Sequence, residues 1–170
     1  MKKEDKQRFT FRITQANSTE LVVILYEMLL CYLEDASIAA QSDKIDDSNE
    51  DSPIRSADPF HEAVRKARGC LNELINSLNL NYEPAPALMQ LYMFCVRRLA
   101  LSEARRDSKL LDEIRRVIEP LRDAYQKIAG QNSAGPVMNN PQTVYAGLTY
   151  GRNTLTENMA DQGTNRGMLV

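Results

Sequence analysis

Through most of the first 129 positions, apolar residues recur at spacings of three and four, and no sustained run alternates apolar with polar. That period belongs to helices laid on a core, so the pattern predicts an all-α domain. Four helices account for it, over about 17–41, 58–79, 86–105 and 107–129, with an acidic loop over 42–57. Asn17 and Glu20 have the spacing of a capping box at the start of the first helix. Asp58 with Pro59 opens the second, whose stripe is Val64, Ala67, Leu71, Leu74, Ile75 and Leu78. The third follows Pro84 and Pro86 and carries Leu88, Leu91, Tyr92, Cys95, Leu99 and Ser102. The fourth repeats Leu110, Leu111, Ile114, Val117, Ile118, Leu121, Tyr125 and Ile128 around Pro120, where a kink is expected because proline costs about 3 kcal/mol in a straight helix. Short connections make neighbours antiparallel. The expected architecture is an antiparallel four-helix bundle with an N-terminal strap and a flexible C-terminal tail, divided into a 1–129 domain and a 130–170 tail.

The first helix carries more apolar surface than one stripe needs. From Leu21 to Leu33 the chain reads LVVILYEMLLCYL, and Glu27 is its one charged residue. A bundle helix with two neighbours should have a polar outer face unless something else covers it. Three covers are open: the chain's own ends, a second copy, or a partner that lays helices into a groove. Phe9, Phe11 and Ile13 alternate with polar residues and suit an extended strap across an apolar surface. Val144, Tyr145, Leu148, Tyr150, Leu155 and Met159 are scattered apolar anchors in a low-charge segment that cannot build its own core; the tail either folds back on the groove or is a spacer or disordered end.

Composition narrows the function. Lys and Arg total 21 against 23 Asp and Glu, a net charge of -2, which argues against binding nucleic acid by charge. The Arg97-Arg98, Arg105-Arg106 and Arg115-Arg116 pairs sit among acids, and Asp112 with Arg116 and Asp123 with Lys127 have the four-residue spacing of a solvated helical face. The longest apolar run is too short to span a bilayer. Met1 to Arg8 is charged and lacks the apolar stretch of a secretory signal, so a cytoplasmic protein is expected. Six of the seven glycines follow residue 129, which places the loosest backbone in the tail. Cys31, Cys70 and Cys95 form no C-x-x-C pair and read as reduced, buried thiols. His61 is the single histidine and no Glu stands three positions before it, so a di-iron bundle site is not supported, nor is a Ser-His or Cys-His nucleophile. The reading is of a protein that is not an enzyme, with no cofactor and no metal.

Four segments resemble, in order and register, the FliS family of flagellar secretion chaperones. Ala16-Asn17-Ser18-Thr19-Glu20-Leu21 through Tyr26-Glu27 is similar to the family's T-A-S-P-x-x-L stretch and the apolar run ending in L-[YF]-[DE]. Lys66-Ala67 through Glu73-Leu74-Ile75-Asn76-Ser77-Leu78-Asn79 resembles K-A-x-x-I-I-x-E-L-x-x-S-L-D. Leu91-Tyr92-Met93-Phe94 with Arg97-Arg98-Leu99 resembles L-Y-x-Y-M-x-x-R-L, and Leu121-Arg122-Asp123-Ala124-Tyr125 resembles the closing L-R-x-A-W. Ser18 stands where the family usually has proline and Tyr125 where it has tryptophan. The resemblance covers about residues 9–129. It implies a cytosolic chaperone that binds the disordered C-terminal segment of flagellin, prevents premature polymerisation, and delivers it to the flagellar type III export gate. It also implies a receiving surface of Leu21, Val22, Leu25, Tyr26, Leu29, Leu74, Leu78, Leu91 and Tyr92. The alternative is a helical module that uses the same apolar surface to dimerise or to bind a different exported or cytosolic partner. Either reading allows a monomer or a weak dimer.

Overall fold

A computed structural model of the chain describes residues 3–42 and 58–138, within a compact unit running from Met1 to Met138. The acidic loop from residue 43 and the tail anchors from Val144 to Met159 lie outside the described residues. The described residues form five helices and no strand: α1 Lys3–Gln15, α2 Ser18–Ser42, α3 Pro59–Asn76, α4 Ala85–Arg105 and α5 Ser108–Ala129. The last four are the helices expected from the periodicity. The second of them stops at Asn76 rather than Asn79, where the Ser77 N–H closes on the Glu73 carbonyl at 3.0 Å.

The fifth helix is the correction. Phe9, Phe11 and Ile13, expected in an extended strap, lie in α1. Phe9, Ile13 and Ala16 are spaced four and three apart, which on a helix aligns them on one face. Phe9 and Ala16 are buried, whereas Phe11 is 42% exposed. Three alternating residues are too few to decide between the two periods. Helix wins because it pairs its own backbone groups, while an extended segment without a neighbouring strand leaves them unpaired. Glu4 and Asp5 in the first turn and Arg12 in the last complement the helix dipole.

Local capping fixes where the other helices begin. Asn17 and Glu20 form the expected reciprocal box: the Glu20 N–H donates to Asn17 Oδ1 at 2.9 Å, and the Asn17 N–H donates to Glu20 Oε2 at 2.9 Å. Asp58 caps α3 by accepting from the Phe60 N–H at 3.0 Å, with Pro59 at the first helical position. Asp107 caps α5 by accepting from the Lys109 N–H at 2.9 Å. Asp107→Ala should therefore lower stability by about 1 kcal/mol, read as a shift of the urea midpoint with unchanged slope. α5 runs on through Pro120, an exposed residue. Its Asp123 pairs with the adjacent Arg122 at 2.6 Å rather than with Lys127.

Long-range pairs show the direction of each helix. Arg68 of α3 bonds Glu103 near the end of α4, and Arg98 of α4 meets Glu113 near the start of α5 at 3.0 Å. Ser18 and Val22 of α2 share a groove with Leu78 and Tyr125. Neighbours are thus antiparallel, with α2 between α3 and α5, and α4 between the same two helices on the other side. The core inside this square includes Tyr26, Leu29 and Leu33 of α2, Phe60 and Leu71 of α3, Leu99 of α4, and Ile114 and Ile118 of α5, all fully buried.

α1 packs on α2 alone among the helices. It forms a second, smaller cluster in which Phe9, Ala16 and Ile24 are buried and Ile13, Leu21, Met28 and Cys31 are half-buried. Among the described residues, the N-terminal end of the chain covers part of the apolar surplus of α2. The surplus therefore does not by itself demand a guest. Glu27, the lone acid of the apolar run, faces α1, where Arg12 Nη2 donates to its Oε1 at 3.3 Å and Nη1 makes a shorter bond to Oε2. This two-pronged pair fixes the orientation of α1 as well as its place.

Candidate functional site

Among the described residues, two larger grooves lie beside α2. The first lies at the end of the bundle where α2 begins, α3 ends, α4 begins and α5 ends. It holds about 340 Å³ and is lined by Val22, Leu78, Tyr82, Leu88, Tyr92 and Tyr125, among others. Tyr82, on its lining, is 69% exposed, and Leu80, two residues before it in the chain, is 53% exposed. An aromatic side chain this exposed on the lining of an apolar groove is a candidate contact for a partner. The second groove, about 450 Å³, runs between α1 and α5 over α2. Leu30 and Cys31 lie along α2, and Arg8, Arg12, Arg115 and Arg122 of the flanking helices sit among Glu27, Glu34 and Glu119. It is polar-walled with an apolar strip, which suits an amphipathic helix better than a small uncharged ligand.

Beneath the first groove lies a tyrosine cluster. The Tyr26 and Tyr92 hydroxyls bond each other with ring centroids 6.4 Å apart, and Tyr125 meets Tyr26 edge-on at 5.6 Å and 62°. Burial pushes the Tyr92 hydroxyl up to about 12 and raises Tyr26 as well, because an ionised phenol would be stranded away from water. Neither hydroxyl is positioned as a proton carrier at neutral pH. The remaining polar cluster, at the start of α3, is structural. Glu103 is pushed up by burial, but the Arg68 guanidinium and His61 beside it outweigh that and hold its carboxyl below the ordinary carboxylate value. His61, exposed in the first turn as its position suggested, sits 3.4 Å from Glu103 and 3.6 Å from Asp58. Arg106 takes the left-handed conformation (φ 50°) between α4 and α5. Its guanidinium lies 5.2 Å from the centre of the Phe60 ring and pairs with Asp58.

The nine residues expected to receive a partner divide sharply. Tyr26, Leu29, Leu74 and Tyr92 are at most 1% exposed and hold the bundle together. They belong to the main core cluster and offer a partner almost no surface, although Tyr92 also borders the first groove. Leu21, Val22, Leu25 and Leu78 are half-buried, and Leu91 is exposed. Val22 and Leu78 meet in the first groove, while Leu21 belongs with the α1 cluster on another face. Sequence reasoning missed Tyr82 and Leu80, which the Asn-rich connection between the second and third helices disguised as a simple turn. It also missed Arg12 of α1. Of the three cysteines, Cys70 and Cys95 are buried and Cys31 is half-buried.

The family model for the flagellar protein FliS matches residues 1–132. The chain belongs to the FliS family. A relative, the flagellar secretion chaperone FliS of Bacillus subtilis (strain 168), is 25% identical over 115 residues, covering 68% of this chain and 77% of its own. The family match takes in all five helices, including α1, and ends at Asn132. Among the described residues no helix is long and apolar enough to cross a membrane.

Proposed function

We propose that this FliS-family chain is a cytosolic, non-enzymatic export chaperone that binds the disordered C-terminal segment of flagellin, keeps it from polymerising early and assists its delivery to the flagellar type III export gate. The observation that carries the reading is the family match across residues 1–132. The grooves support it physically. A disordered segment that folds as amphipathic helices on the bundle gains about 25 cal/mol for each square ångström of apolar area it buries, less the cost of ordering itself. In this reading Val22, Leu78 and Leu91 contact the guest directly, with Tyr82 added to them. Leu21 and Leu25 contribute from the flank of α2, and the four buried residues act by keeping the groove in shape. The protein works as a monomer or weak dimer.

Titration with flagellin from the source organism should give a stoichiometric complex, and removing flagellin's C-terminal segment should abolish it. If intact flagellin does not bind, the reading is wrong. Tyr82→Asp tests the groove separately. Tyr82 is exposed and holds no core contact, so the thermal midpoint should stay within a few degrees while affinity falls about tenfold, as expected for the loss of one interfacial aromatic. Unchanged affinity would move the guest to another face.

A further inference from the structure

The joint between α1 and α2 is held from far along the chain. Ala16 and Asn17 lie between the helices and are only 3% and 4% exposed, so their polar groups need partners from outside a helical ladder. Residues 131–138 supply several. The Val137 N–H donates to the Ala16 carbonyl at 3.1 Å. Asn132 Nδ2 donates to Thr19 Oγ1 at 2.9 Å, and Asn17 Nδ2 reaches the Asn132 carbonyl at a longer 3.5 Å. Asn132 Oδ1 accepts from the Ala134 N–H at 3.0 Å, the local bond by which an asparagine turns its own chain. The segment after α5 thus bends back onto the corner from which α1 departs. α1 itself rests on the small Phe9, Ala16 and Ile24 cluster, separate from the main core. An element held by so few contacts opens at lower free energy than the whole domain.

We propose that Asn132 and Val137 clasp the α1–α2 joint and thereby set how readily α1 lifts from the Ile24, Met28 and Cys31 face of α2. Both are positioning residues. They lie outside α1, yet they fix the direction in which it leaves the corner, and without them the joint is left to the small Phe9 and Ile13 cluster and the Arg12–Glu27 pair. Opening exposes the apolar face of α2 that α1 covers. That this would govern access of a client rests on the chaperone reading; the opening itself does not, and it is measured without any client.

The test uses the full chain alone. Amide exchange is followed across α1, and iodoacetamide labelling of Cys31 is followed by peptide mass spectrometry. The variants are Asn132→Ala, which removes the donor to Thr19, and Val137→Pro, which removes the N–H given to Ala16. Each should speed α1 exchange about three- to tenfold, the effect of losing one net hydrogen bond from the closed state, with faster Cys31 labelling and unchanged exchange in α3, α4 and α5. Phe9→Ala calibrates the readout, since it weakens the α1 contact directly. Unchanged α1 exchange in both clasp variants, while Phe9→Ala accelerates it, overturns the proposal. Acceleration spread evenly over all five helices overturns it too, because that is general destabilisation. Flagellin affinity measured on the same variants bears on the client extension alone.

Discussion

Replacing Phe60 with alanine is expected to lower the stability of the bundle by about 3–5 kcal/mol, the range for emptying a fully buried aromatic site. Phe60 is 0% exposed and does more than fill space. It stands in the first turn of α3, its N–H takes the Asp58 cap, and Arg106 lies over its ring. The ring therefore connects the start of α3 to the turn between α4 and α5. Arg106 sits in a left-handed conformation that costs a non-glycine residue roughly 1–2 kcal/mol. Its hold on Asp58 and on the ring offsets that cost, and alanine removes the ring. Phe60 belongs to the main core cluster, where neighbours packed on all sides limit collapse into the cavity. Urea unfolding followed by circular dichroism should show the loss as a lower midpoint; a change below about 1 kcal/mol would mean that the site relaxes far more than such cavities ordinarily do.

The tyrosine pair gives the second large effect. Tyr92→Phe leaves the Tyr26 hydroxyl, on a residue with no exposed surface, without the partner that the structure gives it. The expected cost is about 1–3 kcal/mol, the penalty of a buried unpaired polar group. Tyr26→Phe orphans the Tyr92 hydroxyl in the same way, on a residue only 1% exposed. The double replacement removes both groups together and should be milder than the sum of the singles, a coupling of at least about 0.5 kcal/mol in a double-mutant cycle. Strict additivity would show that the two hydroxyls do not depend on each other.

Alkaline stability follows from the same pair. Their folded pKa values lie above the ordinary tyrosine value of 10.0, so at high pH the folded state holds protons that the unfolded chain releases. The stabilisation is complete below pH 10 and is lost as pH rises through about 12 for Tyr92. Each such tyrosine removes about 1.4 kcal/mol per pH unit in that window. The wild-type protein should consequently unfold at lower pH than the Tyr26→Phe/Tyr92→Phe double variant. Identical alkaline midpoints would contradict the burial of these hydroxyls.

What could be read from the sequence was mainly what is local. The starts at Asn17 and Asp58 are each decided by residues two or three apart, and the structure places both as the residue types demanded. The stripes of α3 and α5 were legible because their apolar residues are few enough to define one face. α2 was not, since a helix apolar on nearly every side gives no periodic signal to separate Tyr26 and Leu29, which are core, from Val22 and Leu25, which are half-buried. α1 was misjudged because Phe9, Phe11 and Ile13 fit a period of two over a window too short to exclude 3.6. The Tyr26–Tyr92 bond, the Arg12–Glu27 pair and the return of Asn132 to Thr19 join residues 66, 15 and 113 apart. No local rule reaches across such separations.

That last pairing bears on how the molecule is made. A ribosome delivers α1 and α2 first, yet the bonds that finish their corner come from Asn132 and Val137, more than 110 residues later. Until those residues clear the exit tunnel, the newborn α2 has no complete α5 beside it and no locked α1 above. Closure of this corner must wait until α5 has been made, and until then the growing chain resembles the sticky, unfinished proteins that chaperones exist to shelter.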